Sequence, residues 1–313
     1  METKTILIVG GTGLVGTALS KLLTINGYKV IILSREPAKA ASRHEKNDSM
    51  SFAKWDVKRQ TIDANAIASA VAIVHLAGAG VVDKPWTDGY KKEIVDSRVQ
   101  SSALVIKALK ENPNKVETVV SASAIGWYGR DENKGRPFIE SDPSAKGFLG
   151  ETCQQWEDSV RPVTALGKRL VICRFGIVLS NVGGALMEFK KPLLARVAGI
   201  IGNGKQVISW IHIHDLCRLI EYAIANPQIE GVYNAVSPAP VTNEQLTVTL
   251  AKAMHGNAFI KISVPAFALK LIMGERSIEV LKSTTVSSAK IQQAGFEFQF
   301  PEIKQAIGNL TPR

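Results

Sequence analysis

The first apolar run of this chain, Ile6-Leu7-Ile8-Val9, passes without a break into Gly10-Gly11-Thr12-Gly13-Leu14-Val15-Gly16, and then into a helical pattern over residues 17–26. No other feature constrains the fold as much. Gly11, Gly13 and Gly16 satisfy G-x-G-x-x-G, and Gly10, Gly13 and Gly16 satisfy G-x-x-G-x-x-G. Glycines at these spacings permit a tight turn and let the backbone approach a pyrophosphate. The helix behind them offers unpaired N–H groups and the positive end of its dipole. Glycine spacing alone is a weak signal, but the placement between a strand and a helix is the context it needs. The loop therefore predicts a dinucleotide site, with Gly10, Thr12, Gly13, Leu14, Val15 and Gly16 as candidate contacts.

The rest of the first half repeats the strand–helix alternation. Strands are predicted over 5–9, 29–33, 71–76, 116–121 and 169–179, and helices over 17–26, 91–111 and 150–160. Nearly continuous β-branched strands between helices predict an α/β fold with a Rossmann-like, doubly wound parallel sheet covered on both faces. Ligands of such sheets bind at the carboxyl ends of the strands. The second half is less regular. A short apolar run spans 209–213, a helix 214–225 and a strand 231–235, and Thr242 with Gln245 forms a capping-box pattern. The expected division is residues 1–180 plus about 207–236 as a cofactor domain, with about 181–206 and 237–313 as a smaller C-terminal α/β substrate domain.

The end of the second strand discriminates between cofactors. NAD sites place Asp or Glu there to hold the ribose 2′-hydroxyl. Here the strand ends in Ser34-Arg35. A guanidinium and a hydroxyl bind a 2′-phosphate that a carboxylate would repel, which argues for NADP(H). Glu36 is a counter-signal one residue further on. Asp56 can accept from an adenine amino group or serve as an ordinary loop acid. The strand ending His75-Leu76-Ala77-Gly78 finishes in small residues that let a cofactor lie close, so Leu76, Ala77 and Gly78 are further candidates. His75 itself reads as a core histidine.

Charge and cysteine content exclude other classes. The formal charge is +10, from 38 basic and 28 acidic residues, but the basic residues are dispersed and form no block of five. That pattern fits solvation and attraction of a phosphorylated ligand, not nucleic acid. Cys153, Cys173 and Cys217 form no Cys-x-x-Cys pair, so no metal site or disulfide framework is expected, and reduced thiols point to a cytoplasmic compartment. The longest uncharged stretch, 66–82, is shorter than the roughly 20 residues of a membrane span, and no leader pattern is visible at the start.

At this point the residues carry a family resemblance. The glycine loop, Ser34-Arg35, His75-Leu76-Ala77-Gly78 and Ser121 through Gly129 resemble the extended short-chain dehydrogenase/reductase superfamily. More narrowly, the chain resembles epimerase-family proteins labelled nucleoside-diphosphate-sugar epimerases. The narrower match rests on Lys92-Glu93-Ile94-x-x-Ser97-Arg98, on Phe148-Leu149-Gly150-Glu151-x-Cys153-x-x-Trp156-Glu157, and on Arg174-Phe175-Gly176. It extends through Gly183-Gly184, Ser209 to Asp215, and Ala294-Gly295-Phe296. The resemblance implies a Rossmann-like domain with a smaller substrate domain, and Glu93 and Arg98 near the cofactor. It also makes a homodimer an option by analogy.

The superfamily's chemistry uses a Ser with Tyr-x-x-x-Lys on a helix. None of the five tyrosines has a Lys four residues on. Taking Glu157 as the acid that follows the motif, the Tyr position holds Leu149 and the Lys position Cys153. Ser123 matches the active-site serine best, with Ser121 close by. Tyr128, Glu151 and Cys153 are the substitute acid–base candidates. His212, His214 and Asp215 lack a third spaced ligand and read as structural. The favoured reading is an NADP(H)-dependent oxidoreductase or epimerase-like enzyme acting on a small substrate, with a sugar-nucleotide-like molecule as one option. The alternative is an NADP(H)-binding sensor without turnover, since Tyr-x-x-x-Lys is absent.

Overall fold

The β-branched runs read from the sequence do lie side by side. The structure, a computed structural model, describes residues 3–43, 47–131 and 135–311. Its strands are β1 (Thr5–Val9), β2 (Lys29–Ser34), β3 (Met50–Asp56), β4 (Thr61–Ile62), β5 (Ala72–His75), β6 (Thr118–Ala124), β7 (Arg169–Phe175), β8 (Ile177–Leu179), β9 (Val197–Ile201), β10 (Val207–Ile208), β11 (Trp210–His212), β12 (Gly231–Ala235), β13 (Val241–Thr242) and β14 (Ile260–Val264). The α-helices are α1 (Leu14–Ile25), α2 (Pro37–Ala41), α3 (Ala64–Ser69), α4 (Asp88–Glu111), α5 (Phe148–Val160), α6 (Ala185–Leu193), α7 (Ile213–Ala225), α8 (Asn243–His255), α9 (Ala266–Met273), α10 (Ser277–Leu281), α11 (Ala289–Gln293) and α12 (Ile303–Leu310).

The large sheet has the order β12-β7-β6-β5-β1-β2-β3-β4. All its neighbours are parallel except β3 and β4. The chain winds outward in one direction from β1 and in the other from β5, so a crevice opens between them at the carboxyl edge. Register aligns Val9 with Leu33 on one side and with His75 on the other. The glycine loop, Ser34 and Leu76 thereby leave the sheet at one level.

Both faces of the sheet are covered. Ile6, Ile8, Ile32 and Val74 pack toward α1 and α7, together with Ile291 and Phe296 from the end of the chain. Leu7, Val9, Ile73 and Ile172 pack toward α3 and α4. A separate apolar cluster joins Leu179, Leu186, Leu193, Trp210, Leu246 and Leu250 to Ala306, Ile307 and Leu310. Two small pairings accompany it, β9 with β14 in parallel and β10 with β13 antiparallel.

Several boundaries differ from the sequence reading. Residues 169–179 are two strands, because Gly176 breaks the run. A Cβ there would come 2.8 Å from the Ser209 carbonyl oxygen, so the chain passes this point only as glycine. β8 then leaves the large sheet and pairs in parallel with β11. The long helix starts earlier, at Asp88, where Thr87 caps it by accepting from the Tyr90 N–H. β3 is an additional strand. The Thr242 capping box forms as read. Among the described residues, no helix is long and apolar enough to cross a membrane.

Candidate functional site

The crevice begins at the glycine loop. Gly10 has φ +82°, and a Cβ there would lie 2.8 Å from the Ala77 nitrogen and the Leu76 carbonyl carbon. A Cβ on Gly16 would come 2.5 Å from the Gly11 Cα. The loop is thus pressed onto the end of β5 and onto its own helix. Gly13 caps α1 without a side-chain bond, and the first turn holds no acid, so its N–H groups remain available to an anion. Thr12 and Gly13 are exposed, while Leu14 and Val15 are half-buried. Leu14 packs toward Gly183 and Gly184, where built Cβ atoms would come within 3.3 and 3.1 Å of it.

On the β2 side, the Ser34 hydroxyl accepts from the Glu36 N–H at 3.1 Å. The Arg35 side chain is exposed and bonds to no described residue. Glu36 turns to Lys39 at 3.2 Å, so the nearby carboxylate is balanced by its own cation. Asp56 ends the neighbouring strand, and its Oδ1 accepts the Lys58 and Arg59 N–H groups of the following turn.

On the β5 side, His75 is fully buried, with Nε2 2.8 Å from the Ser101 hydroxyl and Nδ1 3.4 Å from that of Ser121. Burial, and then the charge of Arg98, lower its pKa to about 4, so it is a neutral bolt between β5, β6 and α4. Leu76 and Ala77 are half-buried, and Gly78 is exposed. A Cβ on Gly78 would stand 3.0 Å from the Arg98 Cζ. Arg98 is 8% exposed, and its Nη1 donates to the Ile94 and Ala79 carbonyls. Glu93, on the same helix, is exposed and pairs with Lys84 at 3.2 Å. The two charges five residues apart thus diverge: Arg98 reaches the floor of the crevice, and Glu93 turns to the loop beyond β5.

The end of β6 carries a buried charge network that sequence reasoning did not anticipate. Arg174 in β7 donates Nε and Nη2 to the two oxygens of Glu157, at 2.7 and 3.0 Å. Both residues are 1% exposed. Arg174 also stacks on Trp127 with its Cζ 3.7 Å from the ring centre, and its Nη1 donates to the Tyr128 oxygen. Ser123 donates to Glu157 at 2.8 Å, and Tyr128 donates to Asn234 at 2.6 Å. Two of the catalytic candidates, Ser123 and Tyr128, are therefore inside this network, at 1% and 3% exposure. Burial pushes the Tyr128 phenol up to about 12, against the opposing effect of Arg174. A phenol so placed holds its proton at neutral pH. The signal was an arginine inside an otherwise apolar strand, which must bring a counter-charge with it.

The third candidate, Glu151, is exposed in the first turn of α5 and accepts the Gly147 N–H at 3.1 Å. Leu149 and Cys153, one turn apart on α5, flank Gly126, whose built Cβ would lie 3.3 Å from the Leu149 Cβ and 3.6 Å from the Cys153 sulfur. Cys153 donates to the Ala124 carbonyl, and burial raises its thiol to about 11. Asp215 accepts the Gln299 and Phe300 N–H groups, and His212 stacks on Phe300, so this cluster ties down the end of the chain.

Comparison with known proteins places this geometry among its relatives. Residues 6–149 match the model of the NAD dependent epimerase/dehydratase family, and residues 264–310 match a domain of unknown function (DUF1731). An epimerase family protein of Mycobacterium bovis is 31% identical over 100% of this chain and 99% of its own length. One of Staphylococcus aureus is 35% identical over 99% of this chain and 100% of its own. Among solved structures, the human epimerase family protein SDR39U1 (isoform2) with NADPH superposes with a TM-score of 0.84 at 27% identity, covering 98% of this chain and 99% of that one. A nucleoside-diphosphate sugar epimerase from Corynebacterium glutamicum gives a TM-score of 0.76 at 30% identity, covering 99% of this chain and 59% of that one.

Proposed function

Since this chain belongs to the epimerase family, we propose that it binds NADP(H) along the crevice and acts on a small, oxygenated substrate as an oxidoreductase or epimerase. The residues fit the cofactor. Glycines stand where any Cβ would collide, and an uncapped helix end faces the crevice without a carboxylate. The N–H groups of Leu14, Val15 and Gly16 would bind the pyrophosphate, and Ser34 with Arg35 the 2′-phosphate. Bound there, the nicotinamide supplies hydride transfer.

The observation that carries the preference for NADP(H) is the exposed guanidinium of Arg35, bonded to no described residue, beside a Glu36 already paired with Lys39. The human relative of known structure contains NADPH, which supports the same reading. The test is a titration of the protein with NADPH and NADH, followed by thermal stability and fluorescence. NADPH binds more tightly, and Arg35→Asp weakens it by about 10- to 150-fold, the equivalent of roughly 1.5–3 kcal/mol for a charge-assisted bond. Equal affinities for the two cofactors would sink the 2′-phosphate argument.

Among the described residues, the buried groups near the end of β6 are poor proton donors. Tyr128 and Cys153 are buried and hold their protons at neutral pH, and Glu157 is committed to Arg174. The exposed Glu151, solvent or the substrate then supplies the proton. The same observation favours a second reading, an NADP(H)-binding sensor without turnover. Stoichiometric NADPH binding without NADPH oxidation across a carbonyl substrate panel would select it.

A further inference from the structure

Among the described residues, Arg98 is a buried cation without a counter-ion. It is 8% exposed, yet it makes no ion pair with any described residue. The nearest acid on its helix, Glu93, faces Lys84, and Glu157 is taken by Arg174. Trp156 closes one side of the guanidinium, 4.8 Å from its Cζ, and Gly78 closes another. Nη1 is used by the Ile94 and Ala79 carbonyls. Nε and Nη2 bond to no described residue, and neither is among the sealed, unpartnered polar atoms of the fold.

Those two free donors share one edge of the guanidinium. It is the edge that Arg174 offers to Glu157 within this same protein. Two parallel N–H groups on a planar fork match the two oxygens of a carboxylate. A buried charge left unpaired in the protein is costly, and a bound anion removes that cost. The position narrows the anion. Pyrophosphate is served by the glycine loop at the end of β1, and a 2′-phosphate by the end of β2. Arg98 instead lies by the end of β5, beside Gly78 and on the side of β6 and Cys153.

We propose that Arg98 is the anchor for a carboxylate group on the substrate, held in the cofactor crevice through Nε and Nη2. This inference rests on the cofactor reading above and names its substrate class as small carboxylates. Arg98 then orients the ligand electrostatically beside Cys153.

Calorimetric titration of the NADP⁺-saturated protein with sodium benzoate, against neutral benzamide at fixed ionic strength, tests it. Benzoate is expected to bind one site at least about tenfold more tightly than benzamide, and Arg98→Met to abolish that difference while changing NADP⁺ affinity by less than about threefold. Arg98→Lys keeps the charge but not the fork, and is expected to weaken benzoate by about fivefold or more, which keeps the idea testable if the Met variant fails to fold. Benzoate binding that matches benzamide, that is absent, or that survives Arg98→Met overturns the proposal. So does a loss of NADP⁺ affinity in a folded Arg98→Met protein, which would make Arg98 a cofactor ligand. Failure of the wild-type protein to bind NADP⁺ at all is read in the preliminary titration, and it overturns the cofactor reading separately.

Discussion

Replacing Glu157 by Gln should destabilise the protein far more than removing either hydroxyl in the same network. The carboxylate accepts Arg174 twice and Ser123 once, at 2.7 to 3.0 Å, in a site that is 1% exposed. The amide fits the space, but it turns one acceptor into a donor facing Arg174 and removes the charge that compensates it closely. Breaking one side of a buried pair costs about 3–5 kcal/mol. Stacking of Arg174 on Trp127 survives and offsets part of that, being worth up to about 2 kcal/mol where desolvated. Arg161, half-exposed at 3.6 Å, adds less than about 1 kcal/mol. The expected loss is about 3 kcal/mol, or a fall in Tm of about 4–6 °C. Urea unfolding followed by circular dichroism measures it. The double variant Glu157→Leu with Arg174→Met should recover half or more of the loss, since an apolar pair replaces the buried charges. A Glu157→Gln protein within about 2 °C of wild type would refute the reasoning.

Other expectations follow from the same geometry. Ser123→Ala removes one buried hydrogen bond and should cost about 1–2 kcal/mol, and Tyr128→Phe removes two and should cost about 1–3 kcal/mol; if NADPH-dependent turnover is found, neither should lower kcat by more than about tenfold, and a larger fall would restore that hydroxyl as a proton carrier. Gly16→Val should abolish NADPH binding measured by thermal shift, because its side chain would collide with the Gly11 backbone. Stability should also depend on mildly acidic pH. His75 and His212 are lowered from 6.5 to about 4, chiefly by burial, so the unfolded chain binds more protons between these values. Their contribution is intact above about pH 6.5 and is lost as pH falls toward 4, by up to about 3 kcal/mol each. Unfolding midpoints at pH 7, 6 and 5 that do not fall would contradict the buried neutral histidines.

What the sequence could reveal depended on how locally each feature is encoded. The glycine loop, β1 and α1 are contiguous, and the Thr242 capping box needs only four residues, so both were legible. β3 was not, because Met50–Asp56 lies near the sheet edge and only Trp55 in it is buried. Without a continuous apolar run or clean alternation, it carries little strand signal. The Glu157–Arg174 pair was out of reach for another reason. Each residue is visible in the sequence, but one is on a helix and the other on a strand, and only tertiary packing brings them together. The divergence of Glu93 and Arg98 was readable. Five residues along a helix turn the side chain by about 140°, so the two cannot share one face.

The matched segment 264–310 lacks a core of its own. Ala306, Ile307 and Leu310 are buried in one cluster with Leu179, Trp210 and Leu250 from outside the segment, while Ile291 and Phe296 are buried beneath the large sheet. Ahead of them in the chain, Thr285 is fastened to Asp131 by two 2.7 Å bonds. A stretch that recurs as a unit among sequences is therefore not a unit of folding. Expressed alone, it should remain an unstructured peptide. Cutting the chain before it should strip apolar cover from both remaining cores, so that neither fragment survives as a soluble, folded product.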